Sequence, residues 1–216
     1  MIKKILKTII NPINIIKFRI KNKNNDVHLT TYYPINNINV GKCSYGKLKI
    51  RSYNNKGKIF VGNYCSIADN VEFLVGGEHN YKRISTFPFQ SRIYKQSTSD
   101  TPNYDIIIED DVWIGYECLI MSNDHIGKGS VIGARSIVTG EVPPYSIYVG
   151  NKVIKQRFPN DIVRKLNNID FNKVNHKLGD KYSKFCQSVI TNENVDKIID
   201  IFKNNWLKIC KSEVYI

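Results

Sequence analysis

From Ile108 onward an aliphatic residue returns at every sixth position: Ile108, Ile114, Ile120, Ile126, Ile132 and Val138. Glycine follows three of them directly, at Gly115, Gly127 and Gly133. Four residues after each aliphatic stands a small or β-branched residue (Val112, Cys118, Ser130, Ser136, Val142), with Asp124 the one exception. The same beat occurs earlier at Val61, Ile67 and Phe73, with Cys65, Val71 and Gly77 four places on, and faintly near Val40-Gly41. A period of six is neither the spacing of an amphipathic helix nor the alternation of an ordinary strand. It predicts an all-β solenoid of coils with three short flat faces. The aliphatic points into a narrow prism, glycine relieves the backbone at the corners, and the residue four places on also faces inward.

Three stretches fall outside the beat. Residues 80–105 carry Pro88, Pro102 and the aromatics Tyr81, Phe87, Phe89, Tyr94 and Tyr104, which predicts an ordered insertion; long aperiodic insertions in a regular solenoid usually serve function. After Val149, Pro159-Asn160-Asp161 reads as a helix start, and a second helix is predicted from Asp196 through Trp206. This region, 151–216, is expected to cap the coil stack. At the other end, Ile5, Ile9, Ile13 and Ile16 recur at roughly helical spacing among lysines. The favoured reading of residues 1–25 is a basic helical segment docked on its own domain or on a neighbouring subunit, because Pro12 interrupts a continuous helix. Peripheral membrane contact through residues 1–21 is the alternative. The β-helix itself is placed at 26–150.

The formal net charge is +13, which attracts anions without choosing among nucleic acid, glycans, membranes and phosphorylated cofactors. No recognised nucleic-acid motif accompanies it, so no nucleic-acid partner is expected. The five cysteines are widely spaced, with no CxxC pair and no Cys/His cluster. No metal is therefore expected, and a reducing, cytoplasmic compartment is, at the inner membrane face if the N-terminus meets lipid.

Four segments carry a family resemblance: GGEHNYKRISTFPF (Gly76 to Phe89), EDDVWIG (Glu109 to Gly115), IGKGSVIGARSIVT (Ile126 to Thr139) and VPPYSIYVGNKVIKQRF (Val142 to Phe158). Over about half the chain the sequence resembles the hexapeptide-repeat acetyltransferases, most closely the branch of xenobiotic and polysaccharide O-acetyltransferases. The resemblance implies a left-handed parallel β-helix with an inserted loop and C-terminal α-helices. It implies a homotrimer with acetyl-CoA lying between neighbouring prisms as co-substrate, and His79 as the catalytic histidine. By motif matching, Trp113 and Tyr116 fall near the pantetheine or acetyl end, Ala134 and Thr139 line the groove, and Lys152 and Lys155 meet the CoA phosphates. The stretch after Gly150 lacks two residues that usually separate Asn from Lys. Asp124 and His125 replace an aliphatic and a small residue, which predicts one irregular coil with His125 at an external corner.

An imidazole ordinarily titrates near neutral pH and suits proton abstraction from a hydroxyl. The expected reaction is direct acetyl transfer with His79 as general base. The acceptor is a hydroxyl of a cell-surface polysaccharide or its precursor, or alternatively an antibiotic of the streptogramin or chloramphenicol type. The insertion's aromatics read either as a sugar-stacking surface or as a small satellite core. A β-helix scaffold without catalysis is the non-enzymatic alternative.

Overall fold

The computed structural model describes residues 12–53, 55–77, 79–96, 105–174 and 188–200. The six-residue beat becomes three parallel faces. Face one stacks β2 (Ile38–Val40), β4 (Ile59–Val61), β7 (Ile106–Ile108), β10 (His125–Ile126) and β13 (Glu141–Val142). Face two stacks the first half of β3 (Tyr45–Ser52), β5 (Ser66–Ile67), β8 (Trp113–Ile114), β11 (Val131–Ile132), β14 (Ser146–Val149) and β15 (Lys152–Gln156), with β1 (Asp26–Leu29) on the other side of β3. Face three stacks the second half of β3, β6 (Glu72–Val75), β9 (Leu119–Ile120) and β12 (Ile137–Val138).

Ile108, Ile114 and Ile120 lie beside Ile126, Ile132 and Val138, eighteen residues on, which is one coil of three six-residue sides. Val61, Ile67 and Phe73 lie beside Ile108, Ile114 and Ile120 in the same phase, so the insertion leaves the prism without disturbing its register. Ile114, Ile120, Ile126 and Ile132 are all wholly buried in one continuous core. Stacking removes each aliphatic from water on every side, which is the main favourable term holding the coils together.

The corners differ from the sequence reading. Gly115, Gly127 and Gly133 have no positive φ; the left-handed residues come two places later, at Asp111, Glu117, Asn123, Gly129 and Arg135. Glycine is required at 115 for another reason: a Cβ there would lie 2.6 Å from the backbone nitrogen of Ala134 on the next coil. The inward small residues are also polar connectors. Ser44 Oγ donates to Gly62 O (2.7 Å), Cys118 Sγ to Gly133 O (3.0 Å) and Ser130 Oγ to Pro143 O (2.9 Å). Each satisfies a carbonyl of the neighbouring coil that the short strands leave over.

The last coil is two residues short. Ile126 pairs with Val142 and Ile132 with Tyr148, sixteen residues on. Val142 therefore occupies the aliphatic column and not the small-residue position the beat assigned to it. The coil around Asp124 and His125, expected to be irregular, keeps full register. Asp124 is 1% exposed. Its Oδ2 accepts from Met121 N (2.8 Å) and its Oδ1 from Gly140 N (2.5 Å). His125 lies on face one, not at a corner, with Nε2 2.8 Å from Glu109 Oε1.

Before the prism, α1 (Pro12–Lys21) buries Phe18 in the core. Pro12 stands at the first position of this helix, where its missing N–H costs nothing. Residues 1–11 lie outside the described residues. The region from 151 opens with β15, a strand added to face two that the sequence reading did not expect ahead of the helix start at Pro159. The chain divides into two compact units at Lys155/Gln156. In the second, α3 (Asn160–Asn167) starts where Pro159-Asn160-Asp161 predicted and buries Ile162 and Leu166. Residues 195–200 are helical with Val195, Ile198 and Ile199 buried, and Lys165 Nζ reaches Asp196 Oδ2 at 2.7 Å. The predicted continuation to Trp206 lies outside the described residues.

Candidate active site

The insertion occupies residues 76–105 between β6 and β7, and its root is fixed by backbone chemistry. Gly76 N–H donates to Ser122 Oγ (2.6 Å), and that hydroxyl donates to Leu74 O (2.9 Å), so the loop leaves the prism locked to the next coil. Gly77 has φ +108°, and a Cβ there would meet the Tyr53 ring at 2.4 Å. Only glycine satisfies both conditions without strain. Two residues later comes His79, exposed, with Nδ1 2.6 Å from the carbonyl oxygen of Thr86. A carbonyl only accepts, so Nδ1 carries the hydrogen and donates. The neutral ring therefore keeps its lone pair on Nε2. Thr86 belongs to the STFPF stretch, but no sequence signal announces a backbone carbonyl as the orienting partner. Glu78 lies outside the described residues.

Among the described residues, the insertion's aromatics do not form a buried satellite core. Tyr81 and Tyr94 are 79% and 65% exposed. Phe87 and Phe89 are each half exposed and meet edge to face with centroids 4.9 Å apart. They flank Pro88 at the start of the short helix α2 (Phe89–Arg92). Tyr104 lies outside the described residues.

The remaining candidates distribute along two edges of the prism. Trp113, 56% exposed, stands on the outer side of face two between Ser66 and Val131. Tyr116 and Ala134 follow at the corner between faces two and three. There the Tyr116 hydroxyl is 3.0 Å from Asn70 Nδ2, and Arg135 N donates to Tyr116 O at 2.8 Å. The Tyr116 hydroxyl and then the Arg135 guanidinium hold the Glu117 carboxyl below the usual carboxylate range. Thr139 lies at the far end of face three, at the corner from which the His79 loop departs two coils lower. Asp124, which the sequence marked only as an exception to the beat, braces that same corner. Burial pushes its carboxyl up to about 7, against the opposing effect of the two backbone N–H groups. Lys152 and Lys155 are exposed on β15. Strand alternation sends them to opposite sides, so this strand does not aim both at one phosphate group. Arg157, further along, lies over the Phe158 ring at 5.1 Å.

Among the described residues, no group of three or more His, Cys, Asp or Glu side chains is arranged to hold a metal ion, and no helix is long and apolar enough to cross a membrane. The site offers one oriented imidazole, a hydroxyl-bearing corner and an exposed indole on the adjoining face.

A three-sided parallel β-helix with a histidine-bearing loop between coils defines a class of acyl-transfer scaffold. No family profile matches the chain. A chloramphenicol acetyltransferase of Escherichia coli is 32% identical over 152 residues, covering 60% of this chain and 72% of that protein. One from Agrobacterium fabrum is 36% identical over 118 residues, covering 50% of this chain and 56% of that protein. A hexapeptide-repeat-containing acetyltransferase of Vibrio cholerae shares the fold, with a TM-score of 0.51 at 20% identity over 73% of this chain and 87% of that one. The chain belongs to the hexapeptide-repeat acetyltransferase family. It spans little more than half the length of the Agrobacterium relative.

Proposed function

We propose that the chain transfers an acetyl group from acetyl-CoA to a hydroxyl of a compact, chloramphenicol-like small molecule. The observation that carries the chemistry is the Nδ1–Thr86 hydrogen bond, which leaves Nε2 of His79 as the proton-accepting atom on an exposed loop. Nε2 takes the acceptor's hydroxyl proton as the oxygen attacks the thioester carbonyl. The tetrahedral adduct collapses with cleavage of the C–S bond, and the imidazolium returns the proton to the departing thiolate. General-base action of this kind contributes roughly 10²–10⁴-fold, and positioning supplies much of the rest.

The relatives favour the antibiotic-type acceptor over the polysaccharide hydroxyl expected from the sequence. The half-exposed Phe87–Phe89 pair, eight and ten residues from His79, suits a flat aromatic acceptor. A glycan acceptor keeps one specific support: the exposed Tyr81 and Tyr94 rings, which suit stacking on sugar faces. We also propose a homotrimer. Within one prism the His79 loop leaves from the end of face three while Trp113 stands on the outer side of face two, which suits a site shared between two copies. Thr139, Ala134 and Tyr116 would line the shared groove, and Lys152 or Lys155 would meet a phosphate of CoA.

The test is release of free CoA across a panel of chloramphenicol, a streptogramin and oligosaccharides, with wild type and His79→Ala. Turnover with an antibiotic that His79→Ala lowers at least about a hundredfold is the expected result. Turnover with glycans alone would overturn the acceptor assignment. A His79→Ala activity within tenfold of wild type would overturn the role of the imidazole.

A further inference from the structure

Helix α1 presents its apolar residues on both sides. Phe18 is wholly buried and Ile15 half-buried against the domain, yet Ile13, Ile16 and Ile20 are 57%, 59% and 70% exposed. At 100° per residue these three fall within one outward arc, with exposed Lys17 on its flank. The orientation is fixed. Arg19 donates to Val27 O (2.9 Å) and Asn25 O (3.0 Å), and Lys21 Nζ donates to Ile35 O (3.0 Å) and Ile38 O (2.7 Å). Those partners are carbonyls, so they anchor the helix without neutralising its charge. Residues 1–25 contain seven Lys and Arg and no Asp or Glu. Ile5 and Ile9 precede the exposed isoleucines at the same spacing in the sequence. An ordinary surface helix turns its polar side outward; this one turns outward isoleucines flanked by un-neutralised cations.

We propose that the outward face of α1 docks on an anionic membrane surface, with Ile13, Ile16 and Ile20 entering the headgroup–acyl boundary and Lys17 and Lys23 meeting lipid phosphates. The charge selects this occupant. A basic segment free of acidic residues is drawn to an anionic leaflet, at close to one unit of favourable interaction per lysine near the surface. A second copy of the chain would bring the same positive charge to the contact. The three side chains together expose on the order of 300 Å², well below the roughly 800 Å² per partner of a stable protein interface. The inference does not depend on the acetyl-transfer reading.

The test is co-sedimentation of the full chain with sucrose-loaded vesicles of phosphatidylcholine alone and of phosphatidylcholine with phosphatidylglycerol. Ile16→Ser/Ile20→Ser and Lys17→Glu/Lys23→Glu serve as variants; all four positions are exposed and leave Phe18 in place. Wild type is expected to partition to the anionic vesicles, each double variant to lose at least about tenfold of that partitioning, and high salt to release wild type. Equal binding to neutral vesicles, or equal binding by wild type and the isoleucine variant, would overturn the proposal. Sedimentation velocity separates the competing occupant: a variant that dissociates an oligomer while keeping its lipid partitioning would mark the stripe as a subunit contact and sink the idea.

Discussion

Replacing Asp124 with Asn tests the brace at the corner of the His79 loop. The carboxyl is 1% exposed and receives two backbone N–H groups from stacked corners, Met121 and Gly140. Burial raises its pKa from 3.8 to about 7. A carboxyl whose folded pKa lies above its unfolded value holds its proton more tightly in the folded state. The stabilisation is full below about 4 and is lost as the pH rises through about 7. Integrated between pH 5 and pH 8, the loss is about 2–3 kcal/mol, from roughly 1.4 kcal/mol per unit of separation. Asn has the same shape and no titration. Its amide can also accept from only one of the two N–H groups, which costs about 1–3 kcal/mol at all pH values. The assay is urea unfolding of wild type and Asp124→Asn at pH 5 and pH 8. The stability advantage of wild type should shrink by about 2–3 kcal/mol at the higher pH. An advantage that stays constant or grows would show that the two N–H groups outweigh burial and hold the carboxylate charged, which would refute the reasoning.

Ile132→Ala should cost about 2–5 kcal/mol in thermal or urea unfolding, while Ile137→Ala, half exposed on face three, should cost about 0.5 kcal/mol or less. Gly77→Ala should lower kcat more than it lowers stability, since it combines a left-handed φ with a clash against Tyr53 two residues from His79; circular dichroism should show the β-helix intact, with a stability loss of about 1–2 kcal/mol. If the site is shared between copies, co-refolding His79→Ala with Trp113→Ala chains should restore CoA release above that of either variant alone, and no restoration would place both residues in one prism's site.

The three faces were legible because burial inside a narrow prism imposes one aliphatic per side, and six residues is the length of a side. The corners were less legible. Glycine marks left-handed backbone in most settings, yet Asp111, Glu117, Asn123 and Arg135 carry that conformation here, and Gly115 answers a contact with Ala134, nineteen residues along the chain. A single-sequence beat cannot reveal which neighbour a corner meets. The short last coil escaped notice for a related reason: Val138 and Val142 are both aliphatic, so the pattern continues plausibly in either phase. Only the pairing of Ile126 with Val142 decides it. The histidine was legible through its motif, but the nitrogen that accepts the proton was not. It follows from the Thr86 carbonyl, and every residue carries a carbonyl.

Taken together, these particulars explain why one far corner of the prism is built differently from the others. At most corners an inward Ser, Cys or Val suffices. At this one Asp124 spans Met121 and Gly140, while Ser122, adjacent to Met121, spans Leu74 and Gly76. The result is two sets of hydrogen bonds, joined through the Met121–Ser122 backbone, that together span three successive coils from Gly140 to the root of the loop that carries His79. A buried carboxyl is an expensive connector compared with a serine hydroxyl. Its two oxygens reach both the Met121 N–H of its own corner and the Gly140 N–H of the shortened coil. The departure from the six-residue beat at Asp124 and the shortened coil after Val138 thus meet at one hydrogen bond.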